Sequence, residues 1–301
     1  MRLVEISGDI PKPIIGDRCE EIRAVLEVFP GRILKCTKRY ALIDTDNPKE
    51  VSYRLAMAHY VYEVIHGPGI EGELSGTYLV ERVRIGGRRI EVKEALEIVK
   101  SLGASVDLKA KERTFVISTP DGIFVATRRL PTGRRFLYKR KPANRPVHDP
   151  PTLDPYLSRF LVNLSRVPPG ERLLDPFCGF GSILLEAYDV GAKPIGIDMR
   201  KRALEGTMKN FEHFYHARPQ LVLGDSTKGI IKGVKHVASD PPRGKMLRKG
   251  LDARYKFLEV TDARRISAVL GPYHDVGSPV YYGVLNEGTK KELRFVVYKN
   301  R

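Results

Sequence analysis

The first 138 residues mix short apolar runs with amphipathic stretches and show no regular strand–helix repeat. Apolar side chains three or four positions apart predict helices, and these are expected over residues 20–28, 51–65 and 92–102. Short apolar runs between turn residues predict strands, which are expected over residues 1–8, 33–34, 41–43, 78–85, 114–118 and 123–126. This mixed order predicts a compact α+β domain that ends near residue 138.

From residue 156 the pattern changes to an alternation of strands and helices. Strands are predicted over residues 172–174, 194–197, 221–223 and 234–238, and helices over residues 182–188 and 201–211. Such an alternation implies a parallel sheet with right-handed crossovers, so we expect an α/β Rossmann-like domain. Beyond residue 244 the pattern predicts only a helix over 251–270 and strands over 280–285 and 293–298, so the sheet is expected to be shortened and incomplete.

The chain carries 52 Lys and Arg against 36 Asp and Glu, a net charge of +16. This excess predicts a polyanionic partner, either nucleic acid or an anionic membrane surface. No apolar run approaches the roughly 20 residues that cross a bilayer, and the N-terminus has no signal-peptide core. The cysteines, Cys19, Cys36 and Cys178, form no metal-ligand pattern, and we interpret the first two as small buried hydrophobes. We therefore expect a cytoplasmic protein with no membrane span and no metal site.

The basic charge is concentrated between residues 128 and 145, a segment that contains no acid. Its cations are Arg128, Arg129, Arg134, Arg135, Lys139, Arg140, Lys141 and Arg145. Phe136 and Tyr138 lie among them. Cations gain affinity for phosphates through counterion release, and aromatic rings can stack on bases, so the segment is a candidate RNA-binding strip. A solvated linker broken by prolines is the alternative, and the two interpretations are compatible.

The first candidate for chemistry is the loop at residues 174–182, LDPFCGFGS, between a predicted strand and a predicted helix. Gly179 and Gly181 let the backbone turn sharply and approach a ligand closely. A phosphate-binding Rossmann loop would have a third glycine where this chain has Leu184. The loop also lacks the Lys-Ser/Thr pair of a P-loop. An adenosine-type ligand with an amino-acid tail fits better than a pyrophosphate, and a structural turn is the alternative.

Two further acids follow the next predicted strands. Asp198 lies 23 residues after Asp175 and is suited to hydrogen bonding with both ribose hydroxyls. Asp225, in the turn Gly224-Asp225-Ser226, can accept a hydrogen bond from an adenine amino group. Taken alone, Asp198 could instead cap the following helix, and Asp225 could be a simple turn residue.

The fourth feature is the sequence SDPPRG at residues 239–244. An exocyclic amine on a base is a poor nucleophile because its lone pair is delocalised into the ring. The Asp240 carboxylate and the Pro241 carbonyl can accept its two protons and shift it toward a tetrahedral, reactive form. Pro241 and Pro242 keep that carbonyl in place, which preorganises the site. A rigid turn without chemistry is the alternative.

All four features lie at the ends of successive predicted strands, the edge along which open α/β sheets bind ligands. Together they predict a methyltransferase fold. The chain resembles the THUMP-domain tRNA guanine methyltransferases, in particular the archaeal type that acts on the 2-amino group of the guanosine at tRNA position ten. The resemblance covers nearly the full length and is carried by residues 144–148, 153–157, 161–166, 175–182 and 240–244.

This resemblance implies a domain plan. Residues 1–138 would form a ferredoxin-like unit plus the THUMP fold, which grips the tRNA acceptor end. Residues 139–155 would form a basic linker, and residues 156–301 a class I methyltransferase domain. The implied partner is tRNA, and an accessory protein subunit is left open.

The resemblance also implies site roles. S-adenosylmethionine would contact Asp175, Pro176, Phe177, Cys178, Gly179, Gly181, Asp198, Met199, Asp225 and Ser226. The target amine would lie at Asp240, Pro241, Pro242 and Arg243. The family usually has an aromatic residue after the two prolines, so Arg243 is a departure. A guanidinium can stack on a base, but it also adds positive charge near a sulfonium.

The predicted reaction is a direct methyl transfer to a base that has left its stack. Cys178 could be imagined as a nucleophile, but its place inside the cofactor loop favours a packing role. Two other classes of protein stay open. One is a tRNA-binding protein with a degenerate methyltransferase domain, and the other is a DNA amino-methyltransferase, against which the basic N-terminal domain argues.

Overall fold

The computed structural model describes residues 1–6, 14–15, 19–150, 152–228, 231–241, 266–271, 281–286 and 292–299. Contacts divide the chain into two compact units. The first unit comprises Met1–Gly8, Phe29–Tyr53 and Ala58–Thr132, and the second comprises Asp9–Val28, Arg54–Met57 and Gly133–Arg301.

The regular elements follow one another along the chain as sixteen strands and seven α-helices among the described residues. The strands are β1 (Arg2–Ile6), β2 (Ile14–Ile15), β3 (Gly31–Cys36), β4 (Tyr40–Thr45), β5 (Ala58–His66), β6 (Thr77–Arg84), β7 (Ser105–Val106), β8 (Arg113–Thr119), β9 (Gly122–Pro131), β10 (Arg172–Asp175), β11 (Lys193–Asp198), β12 (Gln220–Leu223), β13 (His236–Ser239), β14 (Ile266–Gly271), β15 (Tyr281–Asn286) and β16 (Glu292–Lys299). The helices are α1 (Glu20–Val28), α2 (Pro48–Arg54), α3 (Val92–Ser101), α4 (Arg134–Leu137), α5 (Pro155–Leu164), α6 (Ser182–Asp189) and α7 (Lys201–Tyr215), with short 3₁₀ helices at Tyr138–Arg140, Pro142–Asn144 and Ser226–Lys228.

The first unit is built on a mixed sheet in the order β3-β4-β1-β5-β9-β8-β6-β7. Successive side chains of a strand point to opposite faces of its sheet, and β8 shows that both faces are covered. Phe115 packs in a cluster with Tyr62 and Phe124. Val116, its neighbour, packs in a second cluster that contains Val99 of α3. The predicted strand at 78–85, the helix at 92–102 and the hairpin at 114–126 are confirmed as β6, α3 and β8–β9.

The helix predicted over residues 51–65 is wrong. The α2 helix ends at Arg54, and β5 begins at Ala58. β5 lies between β1 and β9, so it is hydrogen-bonded on both sides. Its β-branched and aromatic residues suit a pleated central strand, and this pairing outweighs the helical spacing of its apolar positions.

The second unit has a sheet in the order β12-β11-β10-β13-β14-β16-β15-β2. The strands from β12 to β14 run parallel, and β16, β15 and β2 pair antiparallel. The main core cluster joins Phe160 and Leu164 of α5 to Ile183 of α6 and Leu173 of β10. A parallel sheet packed by crossover helices is the architecture predicted for this part of the chain.

The sheet of the second unit contains the strand that the sequence pattern left unplaced. β14 pairs in parallel with β13, from His236↔Ile266 to Ser239↔Val269, and so supplies the fifth parallel strand. The prediction of a helix over 251–270 is therefore wrong for its last five residues, and residues 251–265 lie outside the described residues. The strands predicted at 280–285 and 293–298 are confirmed as β15 and β16, so the expectation of an incomplete sheet is also wrong.

The predicted helix at 20–28 is confirmed as α1, and it packs within the second unit. Ala24 joins the core cluster of Phe160 and Leu164. The buried Glu21 carboxylate accepts hydrogen bonds from the backbone N–H groups of Ala56 and Met57, each at 2.9 Å. Segments early in the sequence thus contribute to the second unit. A division of the chain at residue 138 would assign these segments to the first unit instead.

The cysteines differ from one another in state. Cys178 is free and buried, whereas Cys19 and Cys36 are disulfide-bonded. Cys19 is fully buried as expected, but Cys36 is exposed, so the interpretation of both as small buried hydrophobes is wrong. Among the described residues, no helix has both the length and the apolar content needed to cross a membrane.

Candidate active site

The loop between β10 and α6 is a tight turn built on two glycines in left-handed conformations. Gly179 has φ 52° and Gly181 has φ 83°, a region that L side chains rarely adopt. The Cys178 N–H donates to the Ile197 carbonyl of β11 at 2.9 Å, and the Gly181 N–H donates to the Cys178 carbonyl at 2.8 Å. The loop is therefore fastened to the end of the neighbouring strand, and α6 begins directly after it.

Asp175 ends β10 and lies beneath this loop, with only 2% of its surface exposed. Its Oδ1 atom accepts hydrogen bonds from the Phe177 N–H at 3.1 Å and from the Ser239 hydroxyl at 2.9 Å. The pKa of Asp175 is raised to about 7, chiefly by burial and in part by the nearby negative charges of Asp240 and Asp198, against the lowering effect of its hydrogen bonds. This carboxyl group therefore titrates close to neutral pH.

Asp198 ends β11, and its carboxylate faces the glycine loop. The Gly179 N–H donates to its Oδ2 atom at 3.0 Å, and the Arg200 N–H donates to its Oδ1 atom at 2.9 Å. The Arg200 guanidinium adds two longer contacts, at 3.2 and 3.4 Å. Met199, the next residue, is 71% exposed, which leaves an apolar side chain at the strand end beside this carboxylate.

Asp225 lies in the turn after β12. Its Oδ1 atom accepts hydrogen bonds from the N–H and the hydroxyl of Thr227, at 3.0 and 2.7 Å. This arrangement initiates the short 3₁₀ helix at Ser226–Lys228, so Asp225 is at least a turn residue. The Gly224 N–H donates to the Asp198 carbonyl at 3.1 Å, which keeps this turn against the end of β11.

The predicted amine-binding turn begins where β13 ends. Ser239 is completely buried and Pro241 is buried, while Asp240 between them is partly exposed. A partly exposed carboxylate between two buried neighbours is suited to contact a ligand that arrives from solvent. The other two predicted residues of this turn, Pro242 and Arg243, lie outside the described residues.

The strand ends thus bring the predicted acids to one edge of the sheet. Asp198 and Asp240 are close enough for their charges to act on the Asp175 carboxyl, and the Gly224 N–H beside Asp225 donates to the Asp198 carbonyl. A cluster of carboxylates favours a cationic ligand, and the two glycines let backbone come near such a ligand. This donor and charge set fits S-adenosylmethionine, which has hydroxyl and amino donors and a positive sulfonium.

The sequence interpretation assigned no supporting role to several buried side chains that contact the loop. The Thr207 hydroxyl donates to the Gly179 carbonyl at 2.8 Å, and the Asn210 amide donates to the Phe180 carbonyl at 3.0 Å. The Arg145 guanidinium donates to the Ser182 hydroxyl at 2.5 Å. Thr207 and Asn210 occupy the inner face of α7, and their buried polar side chains on an otherwise apolar face were the signal available.

Two cations of the predicted RNA strip are interior residues. Arg140 is 6% exposed and Arg145 is 5% exposed. Arg140 donates to both carboxylate oxygens of Glu186, at 2.7 and 2.9 Å, and to Asp189. Arg159 binds the same two acids. Because these guanidinium groups face inward, Arg140 and Arg145 are corrected from phosphate contacts to internal supports of the helix that follows the cofactor loop.

The other six strip cations reach the surface at least in part. Within the first unit, Arg128 is exposed, and Arg129 lies over the Tyr60 and Phe115 rings at 4.6 and 4.9 Å. Within the second unit, the cations that are exposed or partly exposed are Arg134, Arg135, Lys139 and Lys141. Arg134 and Lys141 lie over the Tyr156 ring, at 4.9 and 5.9 Å. Cations next to aromatic rings combine charge with stacking surface.

The first unit also has a basic pocket that the sequence interpretation missed. It is a cavity of about 390 Å³ lined by Val80, Arg82, Val83, Arg84, Arg88, Arg89 and Ile90. The Arg82 guanidinium donates to the Ile90 carbonyl and that of Arg84 donates to the Gly87 carbonyl, each at 2.7 Å. These bonds orient both groups without neutralising them, whereas Arg88 is paired with Glu94. We call this feature the arginine pocket.

Comparison with known proteins agrees with this geometry. A family model described as an RMKL-like methyltransferase domain matches residues 142–251. In the solved structure of TrmN from Thermus thermophilus, the match covers 100% of both chains at 20% identity with a TM-score of 0.52, which shows a shared fold.

Two curated relatives extend the comparison to most of the sequence. The tRNA (guanine(10)-N2)-dimethyltransferase of Pyrococcus abyssi is 27% identical over 86% of both chains. The enzyme of the same description from Methanothermobacter thermautotrophicus is 31% identical over 74% of this chain and 73% of its own length. Identity at this level across nearly three quarters of each protein shows descent from one ancestor, and the chain belongs to the tRNA (guanine(10)-N2)-dimethyltransferase family.

Proposed function

We propose that this protein transfers methyl groups from S-adenosylmethionine to the exocyclic 2-amino group of a guanosine in tRNA, at position ten. The observation that carries the proposal is the convergence of Asp175, Asp198 and Asp240 at one sheet edge, with Asp240 followed by a buried proline. The family to which the chain belongs supports the choice of tRNA and of guanosine.

The cofactor site is proposed at the ends of β10, β11 and β12. Asp198 would accept hydrogen bonds from the ribose hydroxyls, and these bonds would replace its contacts with the Arg200 guanidinium. Met199 would cover the adenine, and the turn at Asp225 and Ser226 would hold its amino group. Pro176, Phe177, Cys178 and the two glycines would form the backbone wall. When bound, the cofactor supplies a methyl group made electrophilic by the sulfonium.

Asp240 and the Pro241 carbonyl would act on the target amine. By accepting hydrogen bonds from its two hydrogens they would localise the nitrogen lone pair and orient it toward the methyl group that the bound cofactor would supply. The amine proton passes to the Asp240 carboxylate and then to solvent, so the carboxylate acts as a general base. We propose that Pro242 and Arg243, which lie outside the described residues, contact the flipped base.

Direct transfer is favoured over a covalent intermediate. Cys178 is the only free cysteine among the described residues. Burial raises the pKa of its thiol, and the charges of Asp175 and Asp198 raise it further. Since the thiolate is the nucleophilic form, Cys178 is suited to packing and not to attack.

The tRNA would be bound by the exposed cations of both units. These are the six surface cations of the strip and the oriented guanidinium groups of the arginine pocket. In this proposal residues 1–138 form the ferredoxin-like and THUMP region, residues 139–155 the basic linker and residues 156–301 the catalytic domain. Arg140 and Arg145 are left out of the RNA surface because they are buried.

The decisive experiment is methylation of unmodified tRNA transcripts, followed by mass spectrometry of the nucleosides. Wild-type protein is expected to produce N2-methylated guanosine, and a transcript with adenosine at position ten is expected to give none. Asp240→Asn keeps the shape of the side chain and removes its charge, and it should lower the rate by about 10² or more. Tight cofactor binding with no methyl incorporation into any tRNA would instead favour a tRNA-binding protein without catalysis.

A further inference from the structure

Ser239 joins the two halves of the candidate site. It is the last residue of β13 and is completely buried. Its hydroxyl donates to the Asp175 Oδ1 atom at 2.9 Å, and the same oxygen accepts the Phe177 N–H at 3.1 Å. One carboxylate oxygen therefore connects the first residues of the cofactor loop to the residue just before Asp240.

The position of this hydrogen bond in the sheet makes it more than a local contact. The backbone pairing of β10 with β13 runs through Leu173↔His236 and Leu174↔Val237. Asp175 and Ser239 lie beyond the last pair, where the two chains separate into their loops. Their side-chain bond thus links the two strands beyond their backbone pairing, where the loop after β10 and the Asp240 turn begin.

We propose that Ser239 is a positioning residue for methyl transfer, whose hydroxyl, anchored on Asp175, sets the distance between the cofactor loop and the Asp240 carboxylate. The proposal rests on the proposed function. In-line transfer needs the acceptor nitrogen near the methyl carbon, at about 3 to 3.5 Å, and small displacements lower the rate steeply. Asp240 touches the amine in this scheme, and Ser239 acts through it.

The surroundings of Asp175 allow this role to be separated from simple packing. The groups that face its carboxyl are Asp198 from β11, Asp240 from the turn after β13 and the Cys178 thiol of the loop. The two acids raise the pKa of Asp175, and the Ser239 hydroxyl lowers it. Removing the hydroxyl therefore changes an ionisation equilibrium, which removal of a purely structural hydroxyl at a distance would not do.

The test compares Ser239→Ala with Ser239→Thr, which keeps a hydroxyl at the same position. A matched control is Ser165→Ala, which removes another fully buried hydroxyl, one that donates to the Val162 carbonyl. Ser239→Ala is expected to lower kcat by about 10- to 100-fold with little change in the KM for S-adenosylmethionine. Ser239→Thr should recover most of that activity, and Ser165→Ala should keep the wild-type kcat.

A second readout follows ionisation directly. In carbon-13 NMR of protein labelled at aspartate, the Asp175 carboxyl should titrate at higher pH in Ser239→Ala than in wild type and at an unchanged pH in Ser165→Ala. The acid limb of the pH–rate profile should move in the same direction. Wild-type kcat in Ser239→Ala, or an unshifted Asp175 titration, overturns the proposal. Absence of methylation by the wild type on every tRNA instead overturns the proposed function itself.

Discussion

Asp175 has a pKa raised to about 7, chiefly because burial disfavours its charged form. In an unfolded chain the same carboxyl titrates near the ordinary aspartate pKa of 3.8. Between these two values the folded protein binds the proton and the unfolded chain does not. The contribution of Asp175 to the free energy of unfolding therefore falls as pH rises from about 4 to about 7, and stays low above that range.

Asp175→Asn should for this reason stabilise the protein at pH 8, by up to a few kcal/mol at about 1.4 kcal/mol per unit of pKa shift. The amide oxygen can still accept from Phe177 and Ser239, so the packing is kept. The gain should shrink toward zero as pH falls toward 4, because the wild-type carboxyl is then protonated in the folded protein and close to its ordinary pKa of 3.8 in the unfolded chain. Denaturant unfolding from pH 4 to 8 measures this, with the exposed Asp46→Asn as control.

The same substitution should weaken cofactor binding at pH 8, because the cluster of acids at the strand ends then has one negative charge fewer. Isothermal calorimetry with S-adenosylmethionine measures the change. A stabilised variant that binds S-adenosylmethionine as tightly as wild type would show that the Asp175 charge is needed neither for stability nor for cofactor binding. Stability reduced equally at all pH values would show instead that the carboxyl is not protonated in the folded protein near neutral pH.

At the scale of single residues, the sequence revealed the acids but not their neighbours. Asp175, Asp198, Asp225 and Asp240 were identified because acids after apolar strands are unusual and carry chemistry. Ser239 precedes one of them and was overlooked, since serine is common in turns and only its contact with Asp175 gives it a role. Long-range hydrogen bonds of this kind have no local sequence signal.

Among the elements, α6 connects the cofactor loop to a buried ion cluster. Glu186 and Asp189 on α6 bind Arg159 of α5 and Arg140 of the preceding segment, and Glu186 and Arg159 are completely buried. Two cations and two anions balance one another there. Such a cluster as a whole contributes only modestly to the free energy of unfolding, but removal of one member leaves a buried charge uncompensated, which is strongly destabilising.

Glu186→Gln should therefore destabilise the protein by about 3 to 5 kcal/mol. The amide keeps the shape of the carboxylate and leaves two guanidinium groups with a single acid. Denaturant unfolding monitored by circular dichroism measures the change. The control is Glu205→Gln on α7, whose pairing with Lys201 is exposed and should be worth less than about 1 kcal/mol. Equal small changes in both variants would contradict a buried, charge-balanced cluster.

The elements that the sequence predicted well were those whose local pattern agreed with their tertiary setting. The parallel strands and their helices appeared where alternation, glycines and strand-end acids coincided. β5 was wrongly predicted as a helix because its apolar spacing also fits one, and its pairing between β1 and β9 decided the outcome. β14 was wrongly included in a helix, because a short apolar run fits either a buried strand or part of a buried helix. Its pairing with β13, which is distant in sequence, is what makes it a strand.

Across the whole molecule, the excess of positive charge predicts a polyanionic partner. The structure shows which of these cations are buried and which are exposed to such a partner. Arg140 and Arg145 serve the interior. Arg82 and Arg84 are exposed, and backbone carbonyls orient them in the arginine pocket. A count of basic residues in sequence cannot make this distinction, because burial and pairing depend on the fold.

The arginine pocket should therefore contribute to tRNA affinity although it lies in the first unit and outside the predicted strip. Arg82→Ala with Arg84→Ala should weaken tRNA binding and reduce the slope of log affinity against log salt by about 0.7 to 0.9 for each phosphate interaction that is removed. Filter binding from about 50 to 200 mM salt measures both quantities. The control is Arg32→Ala in the same unit, whose exposed guanidinium is paired with Asp44 at 3.0 Å and is partly neutralised. If oriented, unneutralised cations are removed from an RNA surface, tRNA binding to the variant must release fewer counterions, and the salt slope must fall. An unchanged salt slope in the double variant would therefore assign the charge excess of this unit to something other than phosphate binding.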